Sequence, residues 1–193
     1  MKMKKNLVLG LVMALGCSFF VGCSSSSSVK AQALKIENQT VEDLSRYTVA
    51  TFVPFEAKPN NEKTVDGSIG ASFSDGLCKR IKFDYGKLFD EVRYDQPLRD
   101  DNEMIITGEI NEYEGGNRFA RGMLIGLGAA SLKGRIKAMD GKTQEILFEA
   151  PFEKLWAWGG YMGMSKGIEE MVNEASASAA MTIASTKGWK QTK

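Results

Sequence analysis

Ser131-Leu-Lys-Gly-Arg-Ile-Lys-Ala-Met-Asp140 carries, from Leu132 to Ala138, an unbroken alternation of small or apolar with charged residues. Leu132, Gly134, Ile136 and Ala138 alternate with Lys133, Arg135 and Lys137, the period of two expected of a strand with one buried and one wet face. A turn at Asp140-Gly141 follows, and Gln144 to Phe152 answers it as an antiparallel partner. Upstream, Met104, Ile106, Gly108 and Ile110 alternate in the same way, which makes Met104 to Tyr113 another strand. Further back, Arg46 to Phe55 is rich in β-branched and aromatic residues, with Pro54 near its end, and Phe89 to Tyr94 reads as a short strand.

Two stretches break this period. From Thr64 to Tyr85, Val65, Ile69, Phe73, Leu77 and Ile81 recur every four residues, with Thr64 or Asp66 available as N-cap, so an amphipathic helix is expected. Gly67, Gly70 and Gly76 each cost such a helix about 1 kcal/mol relative to alanine, which makes it dependent on packing. Ser165 to Thr186 is the second helix, with Ile168, Met171, Val172, Ala175, Ala179 and Ile183 facing inward. The order strand, helix, run of strands, helix implies an α+β fold. We expect a two-layer sandwich: a mainly antiparallel sheet of about five strands with both helices on one face.

The N-terminus has a different character. Lys2, Lys4 and Lys5 precede an apolar run from Leu7 to Val21, in the range of a signal peptide and short of the ~20 residues that span a bilayer. The run closes on Phe20-Val21-Gly22-Cys23, which resembles the lipobox of bacterial lipoproteins; cleavage would fall between Gly22 and Cys23, and Cys23 would carry the lipid. Ala14-Leu15-Gly16-Cys17 also sets a glycine before a cysteine, but only Cys23 leaves a full apolar region before it and a polar linker after it. Residues 1–22 are thus a signal peptide, 23–33 a lipidated cysteine with a serine-rich tether, and 34–193 a single domain. Ser24 to Ser28 opens a segment with little to bury, and ten extended residues reach at most about 36 Å. Ser24, not aspartate, follows the cysteine; by resemblance to the sorting pattern of enteric bacteria, this points to the outer membrane, with the domain in the periplasm.

Composition excludes several chemistries. The chain has 193 residues and no histidine, which removes the commonest general base and metal ligand, and with them serine and cysteine triads of the usual kind. Its 25 basic and 24 acidic residues leave a slightly acidic remainder once the leader lysines are gone, so no nucleic-acid footprint is present. Outside the leader and the lipobox, Cys78 is the single cysteine and is expected to be structural. No metal set or cofactor motif is found.

Arg118 to Ser131 is the most unusual segment: Arg118 and Arg121 lead an apolar, glycine-spaced run with Gly122, Gly126 and Gly128. Gly126-Leu-Gly128 is half a dinucleotide fingerprint, but Ser131 stands where the third glycine should be and a strand follows. Gly122 to Leu132 could instead enter the membrane as a re-entrant or interfacial loop, or be a tight connection between strands in which glycines permit close backbone approach. The last is preferred. Trp156-Ala-Trp158 with Gly159-Gly160-Tyr161 could stack on sugars or lie at an interface; packing at the sheet is the plainer reading. Acidic groups at Asp100-Asp101-Glu103, at Glu109, Glu112 and Glu114, and at Glu169-Glu170 with Glu174 could supply a carboxylate pair for glycoside hydrolysis or bind calcium, although solvated faces are favoured.

Lipobox, Ile105-Ile106-Thr107-Gly108-Glu109-Ile110, Arg118 to Gly128 and Asp140-Gly141-Lys142-Thr143 together resemble the domain of unknown function 4410 family, over about Thr48 to Gly188. That resemblance implies an envelope lipoprotein with no assigned activity and supplies no catalytic residue. The expectation is a lipid-anchored, non-enzymatic interaction or assembly module. Its partners would be the membrane, through the lipid, and another envelope protein met by Arg118, Arg121, Gly122, Gly126, Gly128, Trp156, Trp158 or Tyr161. The alternatives are an accessory subunit of an envelope secretion or transport complex and a carboxylate-dependent glycan-acting enzyme.

Overall fold

The computed structural model describes residues 31–40, 43–58, 67–94, 96–114, 129–156 and 168–190. Within them lie β1 (Asn38–Gln39), β2 (Val49–Phe52), β3 (Glu56–Ala57), α1 (Gly67–Asp84), a 3-10 turn at Gly86–Leu88, β4 (Glu91–Tyr94), β5 (Glu103–Glu114), β6 (Ala130–Asp140), β7 (Ile146–Trp156) and α2 (Ile168–Thr186).

The expected α+β class holds, with both helices against one face, but the sheet differs from expectation. Among the described residues it has seven strands in the order β1-β7-β6-β5-β2-β4, with β3 alongside β5. It is mixed rather than mainly antiparallel: β2 runs parallel to both β4 and β5, and β3 runs parallel to β5. The reason is the helical crossover. Chain leaving β2 returns through α1 before β4 forms, and such a return lays the next strand parallel to the first. All four residues of β2 are buried, the mark of a strand covered on both faces. β5, β6 and β7 form the antiparallel meander that the alternation predicts, Gly108 facing Ile136 and Gly134 facing Phe152. The hairpin between β6 and β7 is not a two-residue turn. Its loop, 141–145, places the left-handed residue at Gln144, with φ 64°.

Ile69, Phe73, Leu77 and Ile81 are buried along α1 as their spacing predicts, while Val65 and both N-cap candidates lie outside the described residues. Phe73 is the centre of an aromatic cluster, its ring stacked nearly parallel to that of Phe152 at 4.9 Å and tilted against that of Phe55 at 5.0 Å. These rings have room because Gly108 and Gly134 leave the sheet bare beneath them; a Cβ at either position would come within 2.5 Å of a ring carbon. Gly70 serves a backbone contact: the Phe55 amide donates to its carbonyl at 3.3 Å.

On α2, Met171, Ala175, Ala179 and Ile183 face the sheet as expected, Val172 is half-buried, and the side chain of Ile168 is outside the described set. Ala175 to Ala180 are buried on every side of the helix. Sheet and α1 cover part of this circumference, and the N-terminal arm packs Leu34 and Ile36 against the core, with the Leu34 amide donating to Thr182 Oγ1 at 2.7 Å. The helices run side by side in the same direction. Ile69 near the start of α1 lines one cleft with Glu169 and Val172 at the start of α2, and Tyr85 past the end of α1 meets Trp189 past the end of α2, ring to ring at 5.0 Å.

Candidate functional site

Two carboxylates are buried at the end of the sheet where β5 begins and β6 ends. Glu103 lies under the loop 97–102 and is fully buried. Thr51 Oγ1 donates to its Oε1 at 2.5 Å and the Leu98 amide at 2.9 Å, while the Arg99 amide donates to Oε2 at 2.7 Å. Burial pushes this carboxyl up, but the hydrogen bonds from Thr51 and from the Leu98, Arg99 and Asp100 amides outweigh it and hold the group below its ordinary value. The same bonds fix Arg99 at φ 65°, a conformation costly for a residue with a Cβ.

Asp140 does comparable work on the helix side. Its Oδ1 accepts the amides of Lys142 and Thr143 at 2.9 and 2.8 Å, and its Oδ2 accepts the Tyr47 hydroxyl at 2.8 Å and the Arg46 guanidinium at 2.7 Å. Burial raises it and these bonds more than compensate, so it too is held low. Both carboxylates have their lone pairs occupied by the protein itself. Their chemistry is to hold loops.

The sheet face away from the helices is a ladder of ions. Lys133, Arg135 and Lys137 stand on β6 between carboxylates on either side. Lys133 reaches Glu153 at 3.1 Å and Glu112 at 3.5 Å; Arg135 reaches Glu37 at 2.8 Å and Glu149 at 3.6 Å; Lys137 reaches Glu109 at 3.7 Å and Glu149 at 3.9 Å. Lys58 adds pairs to Glu56 and Glu109 at 2.7 and 3.6 Å. A shallow groove of about 510 Å³ crosses this face, lined by Glu109, Asn111, Lys133, Arg135, Pro151 and Glu153 among others. Glu109 and Glu112, the pair considered for glycan chemistry, are each bound to lysines here, as a solvated salt-bridge face requires. Among the described residues, no group of three or more Cys, Asp or Glu side chains is placed to hold a metal.

Most of the residues singled out from the sequence lie outside the described set: Gly22, Cys23, Arg118, Arg121, Gly122, Gly126, Gly128, Trp158 and Tyr161. Their points of attachment are described. Glu114 pairs with Ser131, and Ala130 pairs with Trp156, so the segments 115–128 and 157–167 both spring from one end of the sheet. Ala130, Ser131 and Leu132 belong to β6 and are buried, Leu132 completely, so the end of the apolar run is sheet and not a membrane loop. Ser131 Oγ donates to Glu112 at 2.5 Å. Sequence reasoning did not distinguish Glu103 from Asp100 and Asp101, nor pick out Asp140 as more than a turn residue. The one available signal was that Glu103 opens a strand and Asp140 closes the neighbouring one.

Several solved structures are similar to this chain. The PelC dodecamer from Paraburkholderia phytofirmans matches with a TM-score of 0.53 at 10% identity, over 78% of this chain and 96% of that one. A substituted PelC dodecamer in another crystal form gives 0.52 at 11%, over 78% and 94%. A DUF330 protein from Xanthomonas campestris gives 0.44 at 8%, over 82% and 95%. At 10–11% identity the likeness to the two PelC structures is one of fold. No curated protein matches the sequence. Residues 25–160 match the family described as Domain of unknown function (DUF4410), which spans the arm, β1 to β7 and the first helix, and to that family the chain belongs.

Proposed function

We propose that this chain is a lipid-anchored protein of the bacterial cell envelope whose domain works as a non-enzymatic interaction or assembly module, attached to the outer membrane and facing the periplasm. The observation that carries the reading is the continuity between lipobox and fold. Cys23 and its serines lead within a few residues to an arm that is strapped to the domain through Leu34, Ile36 and β1. Lipid and domain are then joined by a short leash. A lipid of several acyl chains, at about 0.8 kcal/mol per buried methylene, gives stable anchoring.

Assembly is supported by where the polar groups are spent. The buried carboxylates bind loops, and the open-face cations bind neighbouring glutamates. The partner is another envelope protein. Because PelC, which shares the fold, was solved as a dodecamer, further copies of this chain are the first partner to test. Replacing Cys23→Ser should shift the protein from membrane to soluble fractions, and the acylated protein in mild detergent should have a mass of several protomers. A Cys23→Ser protein that stays in the membrane overturns the anchor; a strictly monomeric acylated protein that captures no envelope protein overturns the assembly role.

A further inference from the structure

Phe83 is the most exposed large apolar side chain among the described residues, at 79%. It stands in the last turn of α1, where Leu77 and Ile81 turn to the core and Phe83 turns away from it. Lys82 beside it and Lys87 in the following 3-10 turn are exposed and make no ion pair among the described residues. A turn earlier the pattern is different: Lys79 is held by Asp75 at 2.6 Å and Arg80 lies 3.6 Å from Asp84. Of the other acidic groups near this end, Asp43 and Asp90 face the half-buried Lys187, whose ammonium donates to the Tyr47 carbonyl and sits 4.3 Å over the Phe89 ring. Phe83 thus stands between Lys82 and Asp84, the latter drawn to Arg80, with Lys87 four residues on, and an exposed ring near unneutralised lysines suits a surface that meets lipid head groups.

The position in the fold agrees. The helices run in the same direction, so the last turn of α1 lies at the same end as the last turn of α2, and the N-terminal arm meets α2 at Thr182, close to that end. From Cys23 to Ala31, eight residue steps span at most about 26–29 Å. We propose that the end of the domain carrying Phe83, Lys82 and Lys87 is a membrane-contact surface, with the ring in the interfacial region of the bilayer and the lysines against anionic head groups. The inference rests on lipidation of Cys23, which supplies the bilayer at this range. It adds an orientation: the Phe83 end is turned down to the membrane, and the opposite end of the sheet, from which 115–128 and 157–167 spring, is presented to partners.

The test uses the mature acylated protein in vesicles of phosphatidylethanolamine and phosphatidylglycerol. An environment-sensitive fluorophore is placed by Phe83→Cys in a Cys78→Ala background, with Leu155→Cys as the control at the other end of the sheet. The label at position 83 should shift to the blue and be quenched by lipids carrying nitroxide on the acyl chain, and the label at 155 should do neither. Lys82→Glu with Lys87→Glu should lower the docking equilibrium, roughly fivefold for each lysine lost, since a basic residue near an anionic surface contributes about 1 kcal/mol. Anchored protein whose label at 83 reports water overturns the inference alone. A blue shift that follows protein density instead of lipid composition, from copies meeting copies, overturns it as well. Protein that is never acylated defeats the anchor reading and this one with it.

Discussion

Alanine at two glycines of the same helix should have opposite effects. At Gly70 a Cβ would fall 2.0 Å from the Phe55 carbonyl oxygen and 2.9 Å from its carbon, both backbone atoms that cannot swing aside. Relief requires α1 to withdraw from the segment after β2, which strains the core by about 1–3 kcal/mol and weakens the Phe55 amide bond to the Gly70 carbonyl, worth about 1 kcal/mol. Alanine returns about 1 kcal/mol of helix propensity, so Gly70→Ala should lose about 1–3 kcal/mol net. At Gly76 nothing lies within 4 Å of the added Cβ, only the propensity gain remains, and Gly76→Ala should gain about 1 kcal/mol. In a domain of this size each kcal/mol moves the midpoint by about 2–4 °C, so thermal unfolding followed by circular dichroism separates the two variants cleanly. Urea titration gives the same sign through the midpoint, at unchanged slope. If Gly70→Ala proved as stabilising as Gly76→Ala, the close approach of Phe55 to α1 would be wrong, and with it the packing of the crossover on the sheet.

Glu103 and Asp140 have folded-state pKa values below those of the unfolded chain. Their contribution is therefore complete above the ordinary values of 4.5 and 3.8 and is lost as pH falls through the lower folded values. Urea midpoints should hold steady from pH 7 to about 5 and drop steeply below about 4; a flat profile to pH 3 would contradict the hydrogen-bond sets described. Glu103→Gln sets an amide donor against the Leu98 or Arg99 amide and should cost about 1–3 kcal/mol, with loop 97–102 gaining hydrogen exchange first. Cys78 is buried and its thiol is pushed up by burial, so it should resist thiol reagents in native buffer and react in urea; prompt native reaction would refute its placement. Arg135→Ala removes two pairs from a solvated ladder and should change stability by less than about 1 kcal/mol, an effect that fades further in high salt.

Local periodicity carried the parts of the fold that are decided locally. Ile69, Phe73, Leu77 and Ile81 lie where a four-residue period puts them, and Leu132, Ile136 and Ala138 face the helices as alternation requires. What it could not carry was pairing between distant segments. Val49–Phe52 has no residue that says its neighbours are Glu91–Tyr94 and Glu103–Ile106 in parallel, and β1 and β3, two residues each, are too short to leave a pattern. The site was harder still. Asp100, Asp101 and Glu103 are alike as letters, and only Thr51, brought from another strand, and the amides of Leu98 and Arg99 make Glu103 different. The outward lysines of β6 were readable, but their partners Glu149 and Glu153 come from register with β7, which alternation alone does not give.

The arm at residues 31–40 has a mechanical meaning. Any tension applied at the N-terminus enters the fold there, through the Leu34 amide on Thr182, the Glu37 amide on the Glu149 carbonyl and the Thr40 amide on the Leu147 carbonyl. These few bonds are the first to bear load, ahead of the long ladders among β5, β6 and β7. Once they part, β1 leaves the edge of the sheet and Thr182 loses the Leu34 amide, while the ladders among β5, β6 and β7 hold. The arm is thus a fuse: pulled hard enough, its few bonds give way before the meander does, and the core of the domain is spared the load.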